Sequence, residues 1–349
     1  MSLTKETTMK NLIRLIAILL SVMLVSITAV ACHSADPDPS GIAGPGSSGS
    51  ADATTDPTTE PTEPPTEPPT WPTYPENREI TAQQAFVYDC SAGEFLYISG
   101  SESETVYLAS ITKLFTAHVA LQYLEPEDEI TVGDELDMVV WGSSVADLEK
   151  GDVLTVEMLI KAMMLPSGND AAYTLAVAAG RAIDRGTAPD ADSAVYSDLD
   201  VKSAINVFMA QMNQEARLQG MLNTHFVNPD GIHDPNHYSS MGDLAILGKL
   251  ALEWPAIIRS CTVARDMVTP IEGRSFAWKN TNALVDPASE YYCPVCLGLK
   301  TGQTPNAGSC LLSAFDLDGR QIVIGVFGCP ETEDRFPDTL QLLQMYANQ

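Results

Sequence analysis

The chain has 349 residues, 45% of them hydrophobic, with 46 acidic against 19 basic side chains and a formal net charge of -27. That length and composition suit one large or two ordinary soluble domains. The charge excludes a nucleic-acid partner, because phosphate binding needs a basic surface.

The first residues carry Lys5, Lys10 and Arg14, followed by an uncharged run from Leu15 to Ala31 that ends in Ala29-Val30-Ala31. A basic start, an apolar stretch and a small-residue exit make an export signal over residues 1–32. Cys32, directly after the small residue, makes the site similar to a bacterial lipobox and is the lipidation candidate, although Ala29 stands where Leu is usual. An uncleaved membrane span is the remaining reading, since the run has about the minimum length for a crossing. All three place the rest of the chain outside the cytoplasm, tethered at its N-terminus or secreted.

Residues 33–78 hold few large apolar side chains and are rich in Pro, Thr, Ser, Gly, Asp and Glu. Such a segment cannot bury enough surface to offset backbone ordering and is expected to be a disordered tether. Globular composition begins at residue 79 and runs to 349.

Within it, Gln84–Tyr88 and Glu94–Ile98 are β-rich runs split by Asp-Cys-Ser-Ala-Gly, a hairpin signal. An apolar helix containing Leu114, Phe115, Val119, Leu121 and Leu124 follows, and Pro126 stops it. Ile130–Leu148 is mixed, with short strand-like pieces. Thr155–Leu165 reads as a helix broken by Pro166-Ser167-Gly168-Asn169, and Asp170 is placed to cap the next, Ala171–Ala179. Val201–Leu218 is amphipathic, with Gly220 as its C-terminal stop. Ser240 and Asp243 have capping-box spacing ahead of Leu244–Leu252, which Pro255 limits. The tail returns to strands at Leu297–Lys300, Ser309–Phe315 and Gln321–Phe327, the last two joined by Asp-Leu-Asp-Gly-Arg, and a helix at Asp338–Ala347 closes the chain. Strands at both ends with helices between predict an α+β fold: one antiparallel sheet of N- and C-terminal strands with an inserted helical lobe.

Seven cysteines occur, and the six beyond Cys32 permit three disulfides. Cys293-Pro-Val-Cys296 has the spacing of a zinc or redox pair. With no second such pair and no nearby His-x-x-x-His, a local disulfide or two packed thiols is expected, and no metal or other cofactor.

Three fragments carry chemistry. In Ser110-Ile-Thr-Lys113 the two functional residues lie one helical turn apart, so an amine sits beside a hydroxyl. A serine is a poor nucleophile until a base takes its proton, and a lysine with a lowered pKa can be that base. Ser167-Gly168-Asn169 offers a hydroxyl able to relay a proton and an amide that donates and accepts. Lys300-Thr301-Gly302 offers a positive charge that attracts a carboxylate and lowers the Lys113 pKa, a hydroxyl to bond that carboxylate, and room for substrate along a strand edge.

Together with the flanks Leu165-Pro-Ser-Gly-Asn-Asp-Ala-Ala172, Asn228-Pro-Asp-Gly-Ile-His-Asp-Pro-Asn-His-Tyr-Ser239 and Gly298-Leu-Lys-Thr-Gly302, this set resembles the serine D-alanyl-D-alanine carboxypeptidases of peptidase family S11, the low-molecular-weight penicillin-binding proteins. The resemblance covers about residue 79 to the C-terminus. It implies a β-lactamase/transpeptidase-like fold and hydrolysis of the terminal D-Ala–D-Ala bond of peptidoglycan stem peptides, with β-lactams acylating the same serine. It also implies an oxyanion hole from the backbone amides of Ser110 and Gln303.

Two other readings are weaker. A β-lactamase would carry Ser-Asp-Asn and a Glu-x-x-Leu-Asn loop, neither of which is found here. A non-enzymatic penicillin-binding receptor or wall-tethering protein would not need Ser110, Lys113, Ser167 and Lys300 intact. His225, His233 and His237 cluster around the Asn228–Gly231 turn, where a structural part is expected rather than a ligand or base. Phe276–Asn282 fits the family without an assigned chemistry. Many relatives carry a C-terminal β-rich domain and an amphipathic anchor. Here Gln349 follows soon after the last predicted strand, so attachment is expected through the N-terminal segment.

Overall fold

The chain enters its sheet as an antiparallel hairpin, β1 (Gln84–Asp89) and β2 (Glu94–Ile98). Successive side chains of a strand face opposite ways. Phe86 accordingly joins the core on one face, while Ala85 and Val87 join the core on the other. This computed structural model describes residues 71–75, 78–186 and 199–346. The export segment, Cys32 and the tether up to residue 70 lie outside the described residues. Among those described, no helix is long and apolar enough to cross a membrane.

After β3 (Thr105–Val106) a 3-10 turn over Ala109–Ile111 leads directly into α1 (Thr112–Ala120). A two-stranded ribbon, β4 (Glu129–Thr131) with β5 (Val153–Thr155), precedes α2 (Val156–Met164), which the Thr155 hydroxyl caps from Met158 N at 3.2 Å. Then come α3 (Asn169–Asp184), α4 (Val201–Leu218), β6 (Ser239–Ser240), α5 (Met241–Leu252) and α6 (Pro255–Cys261). A second ribbon, β7 (Arg265–Val268) with β8 (Phe276–Lys279), leads to β9 (Cys296–Thr304), β10 (Gly308–Leu317) and β11 (Arg320–Cys329), and α7 (Arg335–Tyr346) ends the described chain.

The main sheet has the order β2-β1-β11-β10-β9, antiparallel throughout, so strands from the two ends of the domain meet at β1–β11. Asp318 and Gly319 both have positive φ, at 54° and 92°, the turn geometry that closes β10 onto β11 without splaying them. One face carries Phe86, Leu312, Val323 and Phe327 toward the helical lobe. The other carries Val87, Leu311, Ile324 and Val326 against Phe336, Leu340 and Leu343 of α7. This is the expected α+β arrangement, with α1–α4 forming the inserted lobe.

Several local expectations change. α3 begins at Asn169 with Gly168 as its N-cap and no side-chain cap. The buried Asp170 carboxylate instead accepts from Ala146 N and Leu148 N of the crossing loop at 2.9 and 3.1 Å, which gives those buried amides a partner. Half of the capping box forms: Ser240 caps Asp243 N at 3.3 Å, but the Asp243 carboxylate is taken by Asn223 N and Thr224 Oγ1, both at 2.7 Å. Pro255 does end α5, yet it also occupies the first turn of α6, where its missing N–H costs nothing. All six described cysteines are free thiols, so Cys293 and Cys296 are packed side chains rather than a disulfide.

The segment ahead of β1 is tied to α7. Tyr74 and Gln344 exchange two hydrogen bonds at 2.9 and 3.1 Å. The buried Asp338 carboxylate accepts from Arg78 at 2.7 Å and from Thr81 N, Thr81 Oγ1 and Ala82 N at 2.8–2.9 Å.

Candidate active site

Ser110 sits in the tight turn before α1, and the preceding Ala109 has φ of +47°, a left-handed conformation that an L-residue adopts only when its surroundings hold it there. Three contacts do so. Thr112 Oγ1 donates to Ala109 O at 2.8 Å. Gly231, itself at φ +87°, backs onto the same carbonyl so closely that a Cβ would collide with it. Gly302 of β9 presses from the other side: a Cβ there would lie 2.8 Å from Leu108 O and 3.3 Å from Ser110 N. The glycine of Lys300-Thr-Gly is therefore demanded by the nucleophile turn itself, and not only by a ligand along the strand.

Lys113 is completely buried. Its Nζ lies 2.9 Å from Ser110 Oγ, 2.7 Å from Asn169 Oδ1 and 2.7 Å from the Asp230 carbonyl oxygen. An ammonium would satisfy all three acceptors with its three protons. A neutral amine has two protons and one lone pair, and both carbonyl-type oxygens can only accept. The lone pair of the free base is thus left facing the serine hydroxyl. Burial pushes the Lys113 pKa down to about 8, with the Asp230 and Asp170 charges acting in the opposite direction. Burial, rather than Lys300, is the main cause.

Lys300 is also completely buried, and its Nζ meets Thr301 O at 3.1 Å and Thr301 Oγ1 at 3.4 Å, with no carboxylate against it among the described residues. Burial, then repulsion from Lys113, holds it well below the ordinary lysine range. An arriving carboxylate would supply the missing counter-charge. Thr301 Oγ1 is 2.6 Å from Thr281 Oγ1, and Thr281 N donates to Leu165 O at 3.1 Å. The Phe276–Asn282 segment, to which sequence assigned no chemistry, thus joins β9 to the Ser167 turn.

Ser167 is buried at φ +65° between α2 and α3, and its hydroxyl has no partner among the described residues. Asn169, one residue beyond Gly168, is held by its N–H on Ser144 O at 2.9 Å. The Gln303 side chain turns away to Thr332 Oγ1 at 3.0 Å, leaving only its backbone relevant to a site.

His237 has a structural role, as expected. Thr112 Oγ1 spends its proton on Ala109 O, so it accepts from His237 Nε2 at 2.8 Å, while Nδ1 accepts from Val227 N at 3.1 Å. Both nitrogens of the neutral ring are occupied, and burial drives its pKa down to about 4. Thr116 Oγ1 donates to Pro229 O at 2.7 Å, so the Asn228–Gly231 turn is pinned to α1 at several points. Among the described residues no group of three or more His, Cys, Asp or Glu could hold a metal ion.

A family profile described as D-alanyl-D-alanine carboxypeptidase matches residues 71–182 and 201–331. The chain belongs to this family. The D-alanyl-D-alanine carboxypeptidase DacF of Bacillus subtilis is 26% identical over 272 residues, covering 77% of this chain and 62% of that protein. The D-alanyl-D-alanine carboxypeptidase of Streptomyces sp. strain K15 is 28% identical over 273 residues, covering 76% and 86%. The chain therefore spans less than two thirds of the Bacillus relative and most of the Streptomyces one. Among solved structures, the Streptomyces K15 DD-transpeptidase superposes with a TM-score of 0.67 at 27% identity, over 78% of this chain and 99% of that one. The ampicillin-bound penicillin-binding protein D2 of Listeria monocytogenes gives 0.59 at 25% identity, over 77% and 98%. The fold is that of these penicillin-binding DD-peptidases.

Proposed function

We propose that the protein hydrolyses the terminal D-Ala–D-Ala bond of peptidoglycan stem peptides through an acyl-enzyme on Ser110. The observation that carries this reading is the arrangement around Lys113 Nζ, whose two obligate acceptors, Asn169 Oδ1 and Asp230 O, aim the free-base lone pair at Ser110 Oγ. Lys113 takes the Ser110 proton as Oγ attacks the carbonyl carbon of the penultimate D-alanine. The backbone amides of Ser110 and Gln303 bind the oxyanion, an arrangement supported by the close approach of Gly302 to Ser110 N. Lys300 and Thr301 hold the terminal carboxylate. As the C–N bond breaks, the proton passes to the departing amine by way of Ser167, and D-alanine leaves. Water then attacks the ester, its proton returns through Lys113 to Ser110, and the shortened peptide is released.

A β-lactam acylates the same serine, because its strained amide presents the same bond to the same carboxylate site. The substrate lies outside the cytoplasm, in keeping with an N-terminal export segment and with Cys32 as an acylated anchor. Mass spectrometry of the mature N-terminus tests that topology. The central test is release of D-alanine from a diacyl-L-Lys-D-Ala-D-Ala tripeptide, abolished in Ser110→Ala. Nitrocefin turnover without D-alanine release would instead identify a β-lactamase, and neither activity a receptor. Transfer of the acyl group to an amine is a second reading, favoured by the solved relatives described as DD-transpeptidases. An added D-amino acid or glycine acceptor would then divert product from hydrolysis to a new amide.

A further inference from the structure

Asp230 contributes more than its carbonyl. The residue is 1% exposed, and its Oδ1 accepts from Ile232 N at 3.2 Å. Oδ2 is buried and meets no hydrogen-bond donor among the described residues. The neighbouring buried carboxylate, Asp170, is different, because Ala146 N, Leu148 N and Ala171 N all donate to it. Its charge is compensated by backbone dipoles. The Asp230 charge is compensated by backbone N–H groups, those of Ile232 and of Asp230 itself, but its Oδ2 faces none, and a buried carboxylate oxygen left without a donor favours a cation nearby.

We infer that Asp230 is a positioning residue that sets the pH at which Lys113 becomes a free base, its carboxylate holding the lysine proton against the pull of burial. This inference rests on the proposed role of Lys113. The same turn does two opposed things to the amine: the Asp230 carbonyl orients it for proton acceptance, and the carboxylate delays that acceptance to higher pH. The electrostatic directions agree. Asp230 acts to raise Lys113, and Lys113 acts to lower Asp230, which burial otherwise raises. The other groups facing Lys113 are Asp170 from α3, Lys300 from β9 and neutral His237 from the 225–238 loop. Asp230 also faces Tyr173 on α3, whose phenol burial and this carboxylate both push up. Lys113 Nζ meets the carbonyl oxygen of this same Asp230 at 2.7 Å, which keeps the amine near the buried carboxylate, so the charge state of each acts on the other.

The test is the pH profile of Ser110 acylation by a fluorescent penicillin, read as the midpoint of its acid limb rather than its amplitude. Asp230→Asn keeps the shape and the carbonyl and removes the charge. Its midpoint should move toward lower pH by about 1 unit, the size expected for loss of one close opposite charge. An unmoved or raised midpoint overturns the inference. Should the variant fail to fold, intact wild-type protein labelled with 13Cε-lysine decides, with the Lys113 signal assigned through Lys113→Arg. That signal should show a second inflection in the acidic range where Asp230 titrates, and a single transition overturns the inference. Wild-type protein that is never acylated would refute the proposed function instead, and the lysine titration would still judge this coupling.

Discussion

The pH dependence of acylation is the sharpest consequence of a lysine base. With the Lys113 pKa at about 8, roughly 10% of the amine is neutral at pH 7. At an ordinary lysine pKa of about 10.4 the fraction would be about 0.04%, so burial supplies a gain in free base of more than ~200-fold. The sign follows directly: protonation removes the base, so activity falls as pH drops below the folded pKa. The second-order rate of penicillin acylation, followed by stopped-flow fluorescence, should fall about tenfold per pH unit on the acid side and level off above about pH 9. An inflection near 6.5 is not expected, because His237 is held near 4 with both ring nitrogens occupied. Lys113→Arg keeps the positive charge but cannot release a proton at these pH values, and should lower the rate by about 100-fold or more. A flat profile between about pH 6 and 9, or a Lys113→Arg variant acylated at nearly the wild-type rate, would refute the assignment of the base.

Other perturbations test the scaffold around that lysine. Gly231→Ala places a methyl against the Ala109 carbonyl at a positive-φ position. It should cost roughly 2 kcal/mol or more in denaturant unfolding, and should slow penicillin labelling because the Ser110 turn must shift. Asp338→Ala strands the donors of Arg78, Thr81 and Ala82, and should destabilise the domain by about 3–5 kcal/mol, read as a large fall in Tm. Arg78→Ala, which removes one partially exposed donor, should cost less. The buried thiols are protonated, with burial pushing Cys261 up to about 12 and Cys310 up to about 11. Burial raises Cys90 to about 11 as well, so access decides: among the described thiols a reagent should label the half-buried Cys90 first in native protein, and the others after denaturation without reductant. Labelling that requires reductant would reveal disulfides instead.

Much of this architecture could be read before any coordinates. Helical spacing puts Ser110 and Lys113 on one face, and in the fold Nζ lies 2.9 Å from Oγ, a contact that this spacing permits. The hairpin residues Asp318 and Gly319, the stop at Gly220 and the pairing of terminal strands were legible because each depends on local turn chemistry or a period of two. Readings failed where a side chain had two possible partners. Asp170 and Asp243 both sit at helix starts, yet both carboxylates serve amides from distant loops. Local propensity cannot rank a near partner against a remote one. The β7–β8 ribbon was missed because its strands are only four residues long: β7 opens on Arg265-Asp266, and the buried-exposed alternation of β8 is too short to stand out in sequence.

The same division runs through the site. By itself the sequence determined which functional groups are available: a serine with a lysine one turn away, a second serine with an asparagine, and a lysine with a threonine. Those identities are covalent facts, and their motif spacing is preserved by any fold that keeps the three segments. Only the tertiary structure decided what each group is able to do. The second obligate acceptor on Lys113 is a backbone carbonyl, which carries no side-chain signature, and it comes from a residue 117 positions away. Complete burial turns an ordinary lysine into a base with a pKa of about 8, and burial is a property of the packed core. Gly302 and Gly231 matter through what presses on them, and Thr281 through Thr301 on β9. Residue types set the available chemistry, while desolvation and long-range contact set its direction and its pH.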